Sequence, residues 1–313
     1  MVLTPTAKQQ YMFALESVVR EVGERVLAFD GRVHDTQHIR GHEESSIDSH
    51  AYQLAVGAFE RHFAGFGSDK FKYLFELREL QDVETPSVDE KYLVLRIDEI
   101  DGTTNTKRAL ASSLRHRPSA AVTIALCEDE SMGSIVVGAV YDMLNNVTFS
   151  GMRIEGHHLA FADRMLLNPH DFAQKQGDSS TRIMVVGYSN KERAKKAEIE
   201  AAILAADRTG RDFRVYEGCR SSTIDVLNIA RNQFDAYVDA RALWPQSGAM
   251  LYPYDIAGVI PVALGCGLVV TDAYGNPVNT YSAKNVPLSV IIARPKLHPQ
   301  LVEAIRSALP KRE

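Results

Sequence analysis

The sequence predicts a layered α/β fold, α+β in its first half, and three features of the pattern carry that expectation. Two amphipathic helices open the chain, a series of strand-like segments fills residues 73–149, and strands alternate with helices from Ile183 to the end. With 313 residues and 45% apolar content, the chain can bury a core in one large domain or two smaller ones. The Gln-Gly-Asp-Ser-Ser-Thr stretch from Gln176 to Thr181 suits a junction, which divides the chain into subdomains 1–180 and 181–313.

Taken in order, Thr6-x-x-Gln9 has the form of a capping box, and Tyr11, Met12, Leu15, Val18, Val19, Val22 and Val26 recur at helical spacing behind it. Ala51, Leu54, Ala55, Ala58 and Phe63 mark a second helix, with Asp48 in or just before its first turn. Between the two helices, His34, His38 and His42 stand four residues apart, a spacing that on a helix would suit Zn²⁺. Gly41 and polar neighbours argue against a helix there, so a solvated loop is expected. Strands are expected at Tyr73–Phe75, Tyr92–Ile97, Ala121–Leu126, Ile135–Tyr141 and Val147–Phe149, with a hairpin turn at Asn145-Asn146. After a strand at Ile183–Val186 comes a Lys/Glu/Ala-rich helix. The last helix begins near Pro299 and carries Leu301, Val302, Ile305 and Leu309 on one face.

Composition narrows the partner. Lys and Arg number 35 against 40 Asp and Glu, a balance that points away from nucleic acid and anionic membrane and toward a small molecule. The apolar run Ile256 to Val270 is too short to span a bilayer, and the N-terminus lacks a signal pattern, so a soluble cytoplasmic protein is expected. Cys127, Cys219 and Cys266 form no CxxC pair and read as reduced core residues.

The chemistry concentrates in two segments. Tyr92 to Leu95 leads into Ile97-Asp98-Glu99-Ile100-Asp101-Gly102-Thr103-Thr104-Asn105, which sets two carboxylates at a strand end just before a glycine. Such carboxylates can share one hard cation, and Gly-Thr-Thr can open a helix with N–H groups free for a phosphate. The same letters suit a solvated acidic turn in which Asp101 caps that helix. Far downstream, Tyr252-Pro253-Tyr254-Asp255-Ile256-Ala257-Gly258 precedes Gly265-Cys266-Gly267 and an apolar strand, and Asp255 on its own would read as a helix cap.

The two segments in this order resemble the inositol monophosphatase family, Mg²⁺-dependent, lithium-sensitive phosphomonoesterases related to fructose-1,6-bisphosphatase. Arg220-Ser221-Ser222-Thr223 looks like the family's Gly-Ser-Ala helix start, and Phe234 to Asp239 like its Asp-Ala-Tyr strand, so the resemblance runs from about Asp48 to the end. It implies an α/β/α/β/α sandwich, a homodimer, and hydrolysis of a small phosphorylated polyol, inositol monophosphate foremost, with two or three Mg²⁺ ions. It assigns Asp98, the Ile100 carbonyl, Asp101 and Asp255 to metal, and Gly102, Thr103 and Thr104 to phosphate. Asp48 with Thr103 would take a proton from the attacking water, while Ser221, Ser222 and Asp239 would meet the substrate. Helix-start chemistry competes for Asp48, Ser221 and Ser222.

Departures temper the assignment. The family's Gly-Glu-Glu motif is missing; Tyr73-Leu74-Phe75-Glu76-Leu77-Arg78-Glu79 stands in its region, making Glu76 the first candidate for the remaining metal ligand, Glu79 the second and Glu84 a remote third. Each also reads as an ordinary surface charge. Glu99 replaces the usual proline and Tyr254 the usual tryptophan, and neither change removes a ligand. Lys107 to Pro118 is longer and more basic than usual and could draw a more anionic substrate. A fructose-1,6-bisphosphatase, a 3′-phosphonucleotide phosphatase and a non-catalytic phospho-ligand-binding relative are the alternatives.

Overall fold

The computed structural model describes residues 3–30, 37–39, 42–44, 46–66, 70–75, 92–112, 116–169, 180–187, 190–207, 210, 212–243, 250–280 and 286–308. Helix α1 (Pro5–Leu27) buries the seven apolar positions that the spacing picked out. Its cap is Thr4, whose side chain accepts the Ala7 N–H at 3.2 Å, not the Thr6-x-x-Gln9 box. Pro5 explains the difference, because it lacks an N–H and its fixed φ suits the first helical position, which leaves Thr6 inside the helix.

At His38 and His42 the described residues form strands, not the expected loop. Strands β1 (Gln37–Ile39) and β2 (His42–Glu44) pair antiparallel with His38 opposite Glu43 and His42 opposite Ile39, so no helical face collects imidazoles; His34 lies outside the described residues. Helix α2 (Ser46–Phe63) follows, with Asp48 in its first turn.

Seven strands then form the first sheet in sequence order: β3 (Phe71–Phe75), β4 (Leu93–Asp101), β5 (Ala121–Cys127), β6 (Ile135–Asp142), β7 (Val147–Ile154), β8 (His157–Ala162) and β9 (Met165–Leu166). All neighbours are antiparallel except β3 and β4. Helix α3 (Thr103–Ala111) lies between β4 and β5. The β6–β7 turn contains Asn146 at a φ of 57°, as the Asn-Asn pair suggests. Strands β8 and β9 are additions to the sequence reading: His157-His158 and a two-residue strand give no alternating signal.

The second half runs β10 (Thr181–Val185), α4 (Asn190–Ala205), β11 (Phe213–Tyr216), α5 (Ser222–Ala230), β12 (Ala236–Asp239), α6 (Pro253–Ala257), α7 (Ile260–Gly265), β13 (Val269–Asp272), β14 (Val290–Ala293) and α8 (His298–Ala308). Its five strands are ordered β11-β10-β12-β14-β13. In α8, Leu301, Val302 and Ile305 are buried as the periodicity requires, and Leu309 lies outside the described residues.

Three apolar clusters stack these elements into an α/β/α/β/α sandwich. Tyr11, Leu15 and Ala55 of α1 and α2 pack on Leu95, Ile97 and Ile124 at the outer face of the first sheet. Between the sheets, Ile224, Ile256 and Val262 of α5, α6 and α7 meet Val94 and Val140 on one side and Met184 and Tyr237 on the other. Ile199, Ile203, Leu301 and Ile305 of α4 and α8 cover the far face of the second sheet. Alternation along β4 sends Leu95 and Ile97 outward and Val94 inward. The middle layer sits directly on the first sheet: a Cβ on Gly258, just after α6, would lie 2.1 Å from Thr123 Oγ1 and 2.8 Å from the Ile124 backbone. That close approach brings Asp255 to the strands that carry the upstream motif.

Candidate active site

The site grows from an irregularity in β4. Asp98 pairs with Thr123 and Asp101 with Ala121, so three steps on β4 meet two on β5, the signature of a bulge. Asp98, 2% exposed, accepts the Ile100 N–H at 3.0 Å and so braces this bulge. Gly102 turns the chain at a φ of 97°, left-handed backbone that glycine adopts without strain, and a Cβ there would meet Ser119 O at 3.0 Å.

Helix α3 therefore starts on a residue with no side chain to cap it. Asn105 N and Thr106 N both donate to Gly102 O, at 2.9 and 3.1 Å, while Thr103 and Thr104 supply N–H groups that have no acceptor within the helix. N–H groups left open in this way can take an anion. The Thr103 hydroxyl donates to Ile100 O at 3.0 Å, and Asn105 Nδ2 ties the helix start to Ser119 O at 2.7 Å and Cys219 O at 2.8 Å.

Asp101 faces the second half of the chain. Its carboxylate accepts Ser221 Oγ at 2.9 Å, Ser222 N at 3.3 Å and Thr223 N at 2.6 Å, serving as a cap for α5 beside Ser221, which accepts Ile224 N at 3.3 Å. Burial raises the Asp101 carboxyl above its ordinary value, against these hydrogen bonds that lower it. Thr223 then donates its hydroxyl to Asp255 O at 2.7 Å, while Asp255 Oδ2 accepts Tyr252 N at 2.6 Å and holds the start of α6. Thr223 thus joins the two acidic motifs.

The remaining expected residues are placed as follows. Asp48 is half-buried, next to Ile47, which shares an apolar cluster with Ile97 and Ile100. Ser221 and Ser222 start α5, the first giving Asp101 its hydroxyl and the second its backbone N–H. Asp239 ends β12 fully buried, its carboxylate held by Arg241 Nε at 3.0 Å, Arg241 Nη2 at 2.6 Å and Tyr237 Oη at 3.1 Å. Glu76, Glu79 and Glu84 lie outside the described residues. Among the described residues, no three Asp, Glu, His or Cys side chains are gathered as a cation cage. Each motif carboxylate instead braces a local turn or helix start.

Sequence reasoning missed Asp225. It is 1% exposed on α5 and accepts Cys219 N at 2.9 Å; burial pushes its carboxyl up to about 7, with Asp101 and Asp239 adding to the rise. One carboxylate inside the apolar run Ile224-Asp225-Val226-Leu227 was the available signal.

The fold and these contacts set an uncapped helix start against an acidic strand end. The sequence profile of the inositol monophosphatase family matches residues 66–309, and the chain belongs to that family. No curated protein matches it by sequence. Among solved structures, Thermotoga maritima IMPase TM1415 is similar at 18% identity and a TM-score of 0.64, covering 96% of this chain and 98% of that one. The extragenic suppressor protein SuhB of Bartonella henselae gives 18% and 0.66 over 96% and 99% of the two chains. The MJ0109 gene product, an inositol monophosphatase-fructose 1,6 bisphosphatase, gives 16% and 0.64 over 95% and 98%. These likenesses establish the shared fold.

Proposed function

We propose that this phosphatase-family chain hydrolyses the phosphomonoester of a small phosphorylated polyol, with inositol phosphates as the leading class, in a Mg²⁺-dependent reaction. The observation that carries the reading is the Asp101–Thr223–Asp255 linkage, which sets both acidic motifs beside the uncapped start of α3. The donors suit a hard cation: Ser221, Ser222 and Thr223 meet the half-buried Asp101 carboxylate with neutral hydroxyl and N–H groups, so a cation would relieve the cost that raises its pKa. Asp98, Asp101, Asp255, the Ile100 carbonyl and Glu76 would hold two or three Mg²⁺ ions. Magnesium bound there supplies charge neutralisation at the phosphate and a water of lowered pKa.

The chain's own residues do the rest. The N–H groups of Gly102, Thr103 and Thr104 grip phosphate oxygens at the positive end of α3, and the glycine lets backbone approach closely. Asp48, with Thr103 as its relay, accepts the proton from the attacking water. Ser221 and Ser222 line the far wall, and Asp239 reaches a substrate hydroxyl only by giving up Arg241. A homodimer in a reducing, cytoplasmic setting fits the family and the three free thiols; light scattering tests the assembly. No helix among the described residues is long and apolar enough to cross a membrane.

A phosphate-release screen over inositol 1-phosphate, fructose 1,6-bisphosphate and 3′-phosphoadenosine 5′-phosphate tests the reaction. Mg²⁺-dependent release that Li⁺ inhibits is expected; full activity in excess EDTA would falsify it. A second reading, phospho-ligand binding without turnover, is favoured by the carboxylates' engagement at helix starts and the missing Gly-Glu-Glu motif. Phosphate binding with no release for any substrate would decide for it.

A further inference from the structure

The first sheet has another end, opposite the one that carries Asp101. Strand β5 begins at Ala121, paired with Asp101, and finishes at Cys127, roughly 20 Å away at the rise of an extended chain. At that far end the start of α1, Glu128 just after β5 and the β7–β8 turn enclose a cleft of about 460 Å³. Lys8 lines this cleft and is only 8% exposed. Among the described residues its ammonium makes no hydrogen bond and no ion pair.

The position makes that charge costlier. Lys8 is the fourth residue of α1, Cα–Cβ bonds in a helix tilt toward its N-terminus, and the first turn holds no acidic residue. A helix start is the positive end of the dipole, which disfavours an ammonium and favours an anion. Buried charges are ordinarily paired, because a lone one loses its water without compensation. The neighbouring charges are engaged elsewhere. Glu128 Oε1 accepts the Leu3 N–H at 2.9 Å and Oε2 lies 3.7 Å from Arg153 Nη2, while Arg153 Nη1 donates to Gly133 O at 2.8 Å. Glu155, also on the cleft, is exposed in the β7–β8 turn and does not pair with Lys8.

We propose that the cleft is a binding site for a small monocarboxylate, its charged end on the Lys8 ammonium at the start of α1 and its short apolar body against Leu3, Pro5 and Ile154. One negative charge answers one unpaired ammonium. The carboxylates of Glu128 and Glu155 on the same walls repel a second, which sets the ligand apart from a phosphate dianion and the cleft apart from the reaction centre.

Calorimetric titration of the Mg²⁺-loaded protein with butyrate, succinate and butanol tests the site. Wild type should take up one butyrate per chain, more weakly as salt rises, with succinate at least fivefold weaker and butanol not bound. Lys8→Met puts an apolar chain of similar length in place of the ammonium, so it should weaken butyrate at least tenfold while melting at an equal or higher temperature when butyrate is absent. Lys8→Arg should keep part of the affinity, and Glu155→Gln should narrow the gap between butyrate and succinate. No butyrate uptake by wild type, butanol binding as well as butyrate, or full affinity in Lys8→Met overturns the site. A Lys8→Met protein that melts well below wild type without butyrate overturns it too, because the ammonium would then have its partner within the chain.

Discussion

Asp101 Oδ2 lies 2.6 Å from the backbone N of Thr223, which makes a strand-end carboxylate of the first sheet the cap of a helix in the middle layer. In the metal-free protein this contact is structural. Asp101→Ala strands the N–H groups of Ser222 and Thr223 and should cost about 1–2 kcal/mol in urea unfolding under EDTA, the range for a lost cap. Mg²⁺ should then stabilise the wild-type chain and leave the variant nearly unchanged. A variant as stable as wild type in EDTA would show that α5 does not need this carboxylate.

Asp255→Asn separates charge from architecture. An asparagine Oδ1 can still accept Tyr252 N, now held by Asp255 Oδ2 at 2.6 Å, so α6 should start as before. Only the negative charge is lost, and turnover should fall by about two orders of magnitude or more with the unfolding midpoint nearly unmoved. Unchanged kcat in the Asn variant would remove Asp255 from the cation site.

Asp48 and Thr103 invite a double-mutant cycle. If they move one proton together, Asp48→Asn and Thr103→Ala should each lower kcat more than they raise KM, and the double variant should be little worse than either. Losses that simply add would leave Asp48 as a first-turn carboxylate serving the α2 dipole.

Most of the layering was legible because burial has a period. The stripe from Tyr11 to Val26 and the apolar runs in β4 to β7 each named their own element. The motif letters also marked an irregular piece of backbone, since Asp98 to Asn105 holds a bulge, a left-handed glycine and an uncapped helix start within eight residues. What the letters could not show was partnership across the chain. That Asp101 caps α5 and that Thr223 links the motifs both depend on the middle helices lying against the first sheet. Contacts separated by more than a hundred residues, such as Ser221 with Asp101, leave no local pattern. The cap at Thr4 was misread for a smaller reason, because two threonines stood within reach of one helix start and proline chose between them.

Stability should also depend on pH through His298. Its ring is 7% exposed, Nε2 lies 2.8 Å from Thr271 Oγ1, and burial lowers its pKa from the ordinary 6.5. Below that value the unfolded chain binds more protons than the folded one, so the contribution of the neutral ring is complete above pH 6.5 and is lost as pH falls through the folded pKa. His298→Gln should flatten the decline of the urea midpoint below that pH. A decline of the same slope in the variant would assign it to other groups.

The last prediction concerns the contact that sets the site. An alanine Cβ at Gly258 would fall 2.1 Å from Thr123 Oγ1 and 2.8 Å from both Ile124 N and O, and backbone cannot yield as a flexible side chain can. The end of α6 must lift off β5, at a cost of about 3 kcal/mol or more. Asp255 is three residues away on the same short helix, so that displacement carries its carboxylate from the start of α3. Gly258→Ala should therefore lose activity even at temperatures where it stays folded, with Mg²⁺ activation shifted to higher concentration. Gly65→Ala is the comparison, since a Cβ there meets nothing within 4 Å and should leave both stability and activity near wild type. Normal Mg²⁺ activation in a folded Gly258→Ala protein would mean that the close approach of α6 to the first sheet does not position the site.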